Sequence, residues 1–224
     1  MYFNCRSLLP KIDELATLFS AYKPDVVCLV ETWLCMDILD TEISIPNYSI
    51  IRLDRNRHGG GVALYIRNCV SYNTVLYGST GLEVIVVSLS KSNFKLCLCV
   101  FYRPPSSPPA IFDNLCDVLL SVQQSYFSNF VLLGDFNVNF LDSSHSFYPY
   151  LCDLMTSFSL SQVVDTPTHF SPNGQSTLID LVFVSNLDSL SNCSVIPQLS
   201  NSDHVGLMVT LKHQHVASIS MPRR

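Results

Sequence analysis

Several apolar runs of this sequence end abruptly in side chains that suit the hydrolysis of an anionic ester. Glu31 follows Val26–Val30 in the string Val-Glu-Thr-Trp. A carboxylate there can hold a hard cation through oxygen, or serve as a plain helix cap or surface group. Asp135 and Asn137 follow Phe130–Leu133 in Gly134-Asp135-Phe136-Asn137. Two apart, they face the same way if the backbone is extended. Asp135 can orient or deprotonate a water, Asn137 can donate to a phosphoryl oxygen, and Gly134 leaves room for close approach. The plain alternative is an Asp-x-Asn turn.

Asp180 interrupts an apolar stretch, Thr177-Leu178-Ile179-Asp180-Leu181. Unless it faces solvent from an edge strand, it needs a partner, because an unpaired buried carboxylate is costly; a histidine is the natural one. Ser202-Asp203-His204 precedes Val205–Leu211. An aspartate beside a histidine can fix the imidazole tautomer and raise its basicity, or merely cap a loop. Tyr102 and Arg103 end another run before Pro104-Pro105. The hydroxyl can bond a phosphate oxygen and the guanidinium adds charge, or the pair is a core rim with a solvated arginine.

These groups need rigid elements to hold them. The chain has 224 residues, 48% apolar and 14% charged. That excludes a disordered chain or coiled coil and is enough for one sizeable core. The apolar runs are strand-length, far short of a membrane span, so the reading is a protein without a membrane segment. No basic stretch followed by an apolar one opens the chain, so no secretory signal is read. The nine cysteines are odd in number and lack zinc-ligand spacing, and they read as reduced core thiols. The formal net charge of −5 gives no global basic footprint for nucleic acid. A carboxylate-rich metal site is itself acidic, however, and a bound cation inverts the local sign.

Helical spacing predicts helices from Ser7 to Tyr22, from Pro108 to Tyr126 and from Tyr148 to Phe158, with Ser7 and Ser107 as N-caps and Pro24 as a stop. Strands are predicted at Tyr2–Asn4, Val26–Val30, Tyr48–Leu53, Val62–Ile66, Leu82–Leu89, Lys95–Tyr102, Phe130–Leu133, Leu178–Val184 and Val205–Leu211. Continuously apolar strands suit sheets covered on both faces. The expected fold is α/β: two mixed sheets packed face to face with helices outside.

The order of the polar groups carries a resemblance. Asn4, Glu31, Tyr102, Asp135, Asn137, Asp180, Asp203 and His204 stand in the contexts FN, ETW, YRPP, GDFN, TLID and SDH. This resembles the endonuclease/exonuclease/phosphatase family, which includes deoxyribonuclease I and apurinic/apyrimidinic endonucleases. The stretches NCRSLLPKIDEL, ETWL, RLDRNRHGGGVALYI, YRPP, GDFN, TPTHF and STLIDLVF resemble the endonuclease domain of non-LTR (LINE-type) retrotransposons.

The resemblance implies a four-layer, DNase I-like α/β sandwich over residues 1–211 with a polar tail at 212–224. It implies a Mg²⁺-dependent (or Mn²⁺-supported) DNA endonuclease, a phosphodiester hydrolase that leaves a 3′-hydroxyl. By family analogy its partner is DNA and its compartment intracellular, in the nucleus. Glu31 would be the principal metal ligand, with Asn4 near metal and phosphate. Tyr102 would contact the scissile phosphate, Asp135 the attacking water and Asn137 the pentavalent phosphorane. Asp180 supports the site, and Asp203 partners His204, which binds phosphate or transfers a proton. Which of His204 and Asp135 is the base stays open. Arg103, Thr168, Thr177 and Ser202 are the candidates that border the substrate.

Only Met1, Tyr2 and Phe3 precede Asn4, so a shortened first strand is expected, and no reverse-transcriptase signature is present in the chain. The competing readings are a decayed, non-catalytic relic and an enzyme for a smaller phosphoester. Gly59-Gly60-Gly61 reads as a turn rather than a phosphate cradle, because no Gly-Lys-Ser/Thr follows. Arg52, Arg55, Arg57 and His58 read as a solvated basic hairpin or a DNA-backbone contact, and His213 and His215 as solvated tail residues or metal ligands.

Overall fold

A computed structural model of the chain describes residues 1–79, 81–123 and 129–212. The tail expected at 212–224 and the end of the second helix near Tyr126 lie outside those residues, Lys212 excepted. The strands, in chain order, are β1 (Tyr2–Asn4), β2 (Val26–Val30), β3 (Tyr48–Leu53), β4 (Val62–Arg67), β5 (Ser71–Ser79), β6 (Leu82–Lys91), β7 (Phe94–Tyr102), β8 (Phe130–Asp135), β9 (Ser161–Gln162), β10 (His169–Phe170), β11 (Ser176–Thr177), β12 (Asp180–Val184), β13 (Leu190–Ile196) and β14 (Gly206–Leu211).

Period-two alternation sorts their side chains between two apolar layers. Phe3, Val27, Leu29, Ala63 and Tyr65 face one layer, which also takes Leu15 and Phe19 of α1 (Ile12–Tyr22). Cys28, Val30, Val62 and Leu64 face the other, which they share with β6, β7, β8 and β12. A sheet buried on both faces needs such continuously apolar strands, and the sequence supplies them.

The result is two six-stranded mixed sheets, β13-β14-β1-β2-β4-β3 and β5-β6-β7-β8-β12-β9, with a separate two-stranded hairpin β10-β11. Helices α2 (Ala110–Gln123) and α3 (Tyr148–Ser157) pack on the second sheet through residues such as Leu115, Leu119, Leu151 and Leu154. The architecture is the expected α/β sandwich. Short β1 lies inside its sheet, parallel to β2 and antiparallel to β14. Among the described residues no helix is long and apolar enough to cross a membrane.

Local details differ from the expectation. Ser7 is no N-cap: its φ is +78°, and a 3₁₀ turn at Leu9–Lys11 holds Pro10 before α1 begins. The helix ends at a left-handed Lys23 whose N–H returns to the Phe19 carbonyl, just before Pro24. Strands β5, β9, β10, β11 and β13 are absent from the expected set. β13 is mostly exposed or half-buried and reads LSNCSVI, so one-sided exposure at a sheet edge erased its apolar run. Asp180 does not interrupt a strand; it starts β12, paired across from Asp135.

Candidate active site

The two parallel strand pairs, β1 with β2 and β7 with β8, end on the same side of the sandwich. Asn4 closes β1, Glu31 follows β2, Tyr102 closes β7 and Asp135 closes β8. Antiparallel β12 starts there with Asp180, and Asp203 and His204 lead into β14. Two hydrogen bonds stitch the sheets together at this rim. Tyr2 donates its hydroxyl to Asp180 Oδ1 at 2.6 Å, and Asn4 Nδ2 donates to Asp135 Oδ2 at 2.9 Å.

His204 is the hub. Its Nδ1 meets Asp180 Oδ2 at 2.7 Å, and its Nε2 lies 3.5 Å from Asn4 Nδ2. This corrects the expected pairing: Asp180, not the neighbouring Asp203, is the close partner of His204. Asp203 instead bonds Arg6 Nη1 at 2.6 Å and lies 3.7 Å from His204 Nε2. Adjacent residues in an extended chain point apart, so a side chain 24 positions away wins the imidazole.

Burial pulls the His204 imidazolium down, but the carboxylates around it, Asp180 foremost and then Asp135 and Asp203, together outweigh it and push the pKa up to about 9. That raised value stabilises the fold fully below the ordinary histidine pKa of about 6.5, and the contribution is lost as pH rises through about 9. Asp180→Asn removes the main charge holding the proton. The expected result is a His204 pKa below about 6.5, read by NMR titration of the ring protons, together with loss of the alkaline decline in melting temperature. An unchanged titration would show that Asp180 does not control His204.

Burial, and then the like charge of Asp180, push Asp135 up to about 8. Its Oδ1 accepts the Asn137 N–H at 2.9 Å. Asn137 has φ +49°, so the backbone is not extended and the two side chains do not run parallel as expected. The Asn137 amide donates to the Arg103 carbonyl at 2.7 Å. Gly134 does leave room, but for the protein itself. At φ +153° a Cβ would sit 1.7 Å from the Phe101 carbonyl oxygen of β7.

Glu31, at φ +55°, is held from several sides. Its Oε2 accepts the Gly60 N–H at 2.9 Å and the Trp33 indole N–H. Burial, then Glu31, keep Tyr102 protonated well above the ordinary phenol range. The turn at Gly59–Gly61 is therefore a clamp: Gly60 serves Glu31, and Gly61 donates to Glu83 Oε2, at 2.5 Å. Arg55 bonds Glu83 at 2.8 Å and lies over the Tyr102 ring at 5.7 Å.

The expected substrate contacts turn inward. Arg103 is 1% exposed. Its guanidinium donates to the carbonyls of Phe136, Asn137, Pro105 and Ser107 and stacks 4.2 Å over the Phe147 ring. It braces the loops and is closed to a substrate. Buried Thr168 accepts the Asp180 and Ile179 N–H groups. Thr177 meets His169 Nδ1 at 3.1 Å, and Ser202 donates to the Asn4 carbonyl while accepting the His204 N–H. These three place Asp180, His169, Asn4 and His204.

The sequence reading left Tyr2, Arg6, Trp33, Glu83 and His169 without a role, although several stood inside the stretches that carry the resemblance. Apart from the Trp33–Glu31 bond between near neighbours, their contacts span long sequence separations that no local pattern encodes.

The oxygen donors fit a hard cation. Glu31 and Asn4 leave neighbouring strand ends, Asp203 Oδ1 is buried without a hydrogen-bond partner among the described residues, and Asp135 and Asp180 crowd negative charge nearby. The tightest His and Asp groupings, Asp135–Asp180–His204 and His169–Asp203–His204, do not include Glu31.

The endonuclease domain of TRAS1, a telomere-specific non-LTR retrotransposon, superposes with a TM-score of 0.75 at 15% identity, covering 94% of this chain and 96% of that one. An AP endonuclease from Archaeoglobus fulgidus gives 0.68 at 15% identity, over 95% and 98%. A mannosyl-6-phosphatase from Bacteroides thetaiotaomicron gives 0.71 at 16% identity, over 95% and 98%. No curated protein sequence matches. At such identities the likeness is one of fold, but a sequence-level match supplies the rest: the model of the endonuclease/exonuclease/phosphatase family covers residues 1–204, and this chain belongs to that family of phosphoester hydrolases.

Proposed function

We propose that the chain is a Mg²⁺-dependent DNA endonuclease that nicks a target strand in the manner of a retrotransposon, leaving a 3′-hydroxyl. The observation that carries this reading is the convergence on Asn4: its amide donates to Asp135 and lies 3.5 Å from Nε2 of His204, whose Nδ1 meets Asp180, in one cluster beside Glu31. The retrotransposon form of the Asn4–Leu15 and Arg52–Ile66 stretches, and the fold shared with the TRAS1 endonuclease domain, favour DNA as substrate and nuclear residence with it.

Glu31 and Asn4 would hold the cation, which when bound neutralises charge on the nonbridging and leaving oxygens of the phosphodiester. Asp135, its pKa pushed up to about 8, orients the attacking water and in its ionised form takes the water's proton. The water oxygen bonds to phosphorus as the P–O3′ bond breaks, and the departing O3′ takes up a proton from solvent water. His204, held as an imidazolium by Asp180, turns Nε2 to the phosphate and offsets its charge. Tyr102 donates its retained proton to a phosphate oxygen. Asn137 reaches the phosphoryl group when its amide leaves the Arg103 carbonyl.

The test is nicking of supercoiled plasmid in Mg²⁺, with and without chelator, beside Glu31→Ala. Wild type should convert supercoiled to open circles whose ends prime a DNA polymerase. Chelator and Glu31→Ala should each remove at least about 10²-fold of the rate. A folded wild-type chain that leaves plasmid intact, or a Glu31→Ala variant that nicks equally well, would sink the proposal.

A further inference from the structure

His169 has no part in the mechanism above, yet it packs against its centre. It lies in the β10-β11 hairpin, and an isolated backbone bridge joins it to His204. The two imidazole centroids are 4.7 Å apart. Each ring is anchored through Nδ1, His204 by Asp180 Oδ2 at 2.7 Å and His169 by Thr177 Oγ1 at 3.1 Å. Each then turns Nε2 to the same carboxylate, at 3.4 Å from Asp203 Oδ2 for His169 and 3.7 Å from Oδ1 for His204. One ligating atom from each of the three residues lies within 4.8 Å of the others. Asp203 Oδ1 is buried with no hydrogen-bond partner among the described residues.

Two imidazoles with their outer nitrogens fixed by hydrogen bonds, and one carboxylate between them, form the donor set of a borderline divalent cation such as Zn²⁺. Mg²⁺ prefers an all-oxygen shell. Zn–N and Zn–O bonds of about 2.0–2.2 Å place neighbouring ligand atoms a little over 3 Å apart, close to the separations found here. Arg6 now occupies Asp203 Oδ2, but its side chain is 45% exposed and can swing into water at small cost.

We propose that His169, Asp203 and His204 form a second, inhibitory metal site for a Zn²⁺-class cation, which shares only Asp203 with the donors around the Glu31–Asn4 site. Binding there takes His204 Nε2 away from the phosphate. The inhibition rests on the nuclease reading; the binding does not. Three protein ligands leave a fourth position open to water.

Co²⁺ serves as a visible stand-in for Zn²⁺. Titrated into the metal-free chain, it should give the d–d absorption of a low-coordinate nitrogen and oxygen site without thiolate charge-transfer bands. His169→Asn should weaken that binding by about tenfold or more, and His169→Gln should do the same. Matching circular dichroism and melting curves establish that both variants are folded. In Mg²⁺-supported nicking, Zn²⁺ should inhibit wild type at concentrations about tenfold below those needed for His169→Asn, whose rate without Zn²⁺ stays at the wild-type level. Equal Co²⁺ binding by wild type and both variants, thiolate-type spectra alone, or equal Zn²⁺ inhibition would overturn the proposal. If wild type fails to nick at all, the nuclease reading falls, while the Co²⁺ comparison still decides the site.

Discussion

Asp135→Asn should lower plasmid nicking by about 10²- to 10⁴-fold while leaving a folded chain, because asparagine keeps the shape but cannot take a proton from water. The carboxylate is buried at the end of β8, between the Asn4 amide and the Asn137 N–H. Its pKa, pushed up to about 8, also fixes the sign of a second effect. Between the ordinary aspartate value and about 8, the folded wild type holds a proton that the unfolded chain has released, so wild-type stability falls as pH rises through that window. Asparagine does not titrate. Without divalent cations, the melting temperature of the variant minus that of wild type should therefore increase from pH 5 to pH 9. Nicking within a few-fold of wild type would remove Asp135 from the chemistry; a flat melting difference would remove the pKa argument.

Arg103→Met should destabilise the fold by about 3 kcal/mol or more, because four loop carbonyls lose their donor inside the protein. Methionine fills much of the volume against Phe147 and Phe112 but donates nothing. For a chain of this size that corresponds to a fall of about 6–12 °C in melting temperature. Denaturant melts of both proteins measure it. A change under about 0.5 kcal/mol would mean that the guanidinium braces nothing and is free for a ligand after all. The activity of the folded fraction should drop less than in Asp135→Asn, since Arg103 holds the Phe136-Asn137 backbone without meeting the reaction.

The central strands were legible because burial on both faces leaves continuous apolar runs, as in Val26–Val30 and Phe130–Leu133. The edge strand β13 was not, since its outward residues are polar. Asp180 announced its need for a partner through its apolar surroundings, and the histidine partner was there. The pairing of Asp203 with His204 was misread because adjacency in sequence stood in for adjacency in space. Arg103 looked like substrate-facing charge, yet its fate depended on carbonyls more than 30 positions away. His169 stood in a quoted stretch but revealed its neighbours only once β10 was bridged to His204.

The bonds from Tyr2 to Asp180 and from Asn4 to Asp135 join one layer of the sandwich to the other at the reaction centre itself. Catalytic competence is thus a gauge of alignment: a slip of a fraction of an ångström between the halves would disable the enzyme while each half stayed intact. Inactivation should therefore precede melting, and substitutions deep in the seam, remote from any phosphate, should tune turnover.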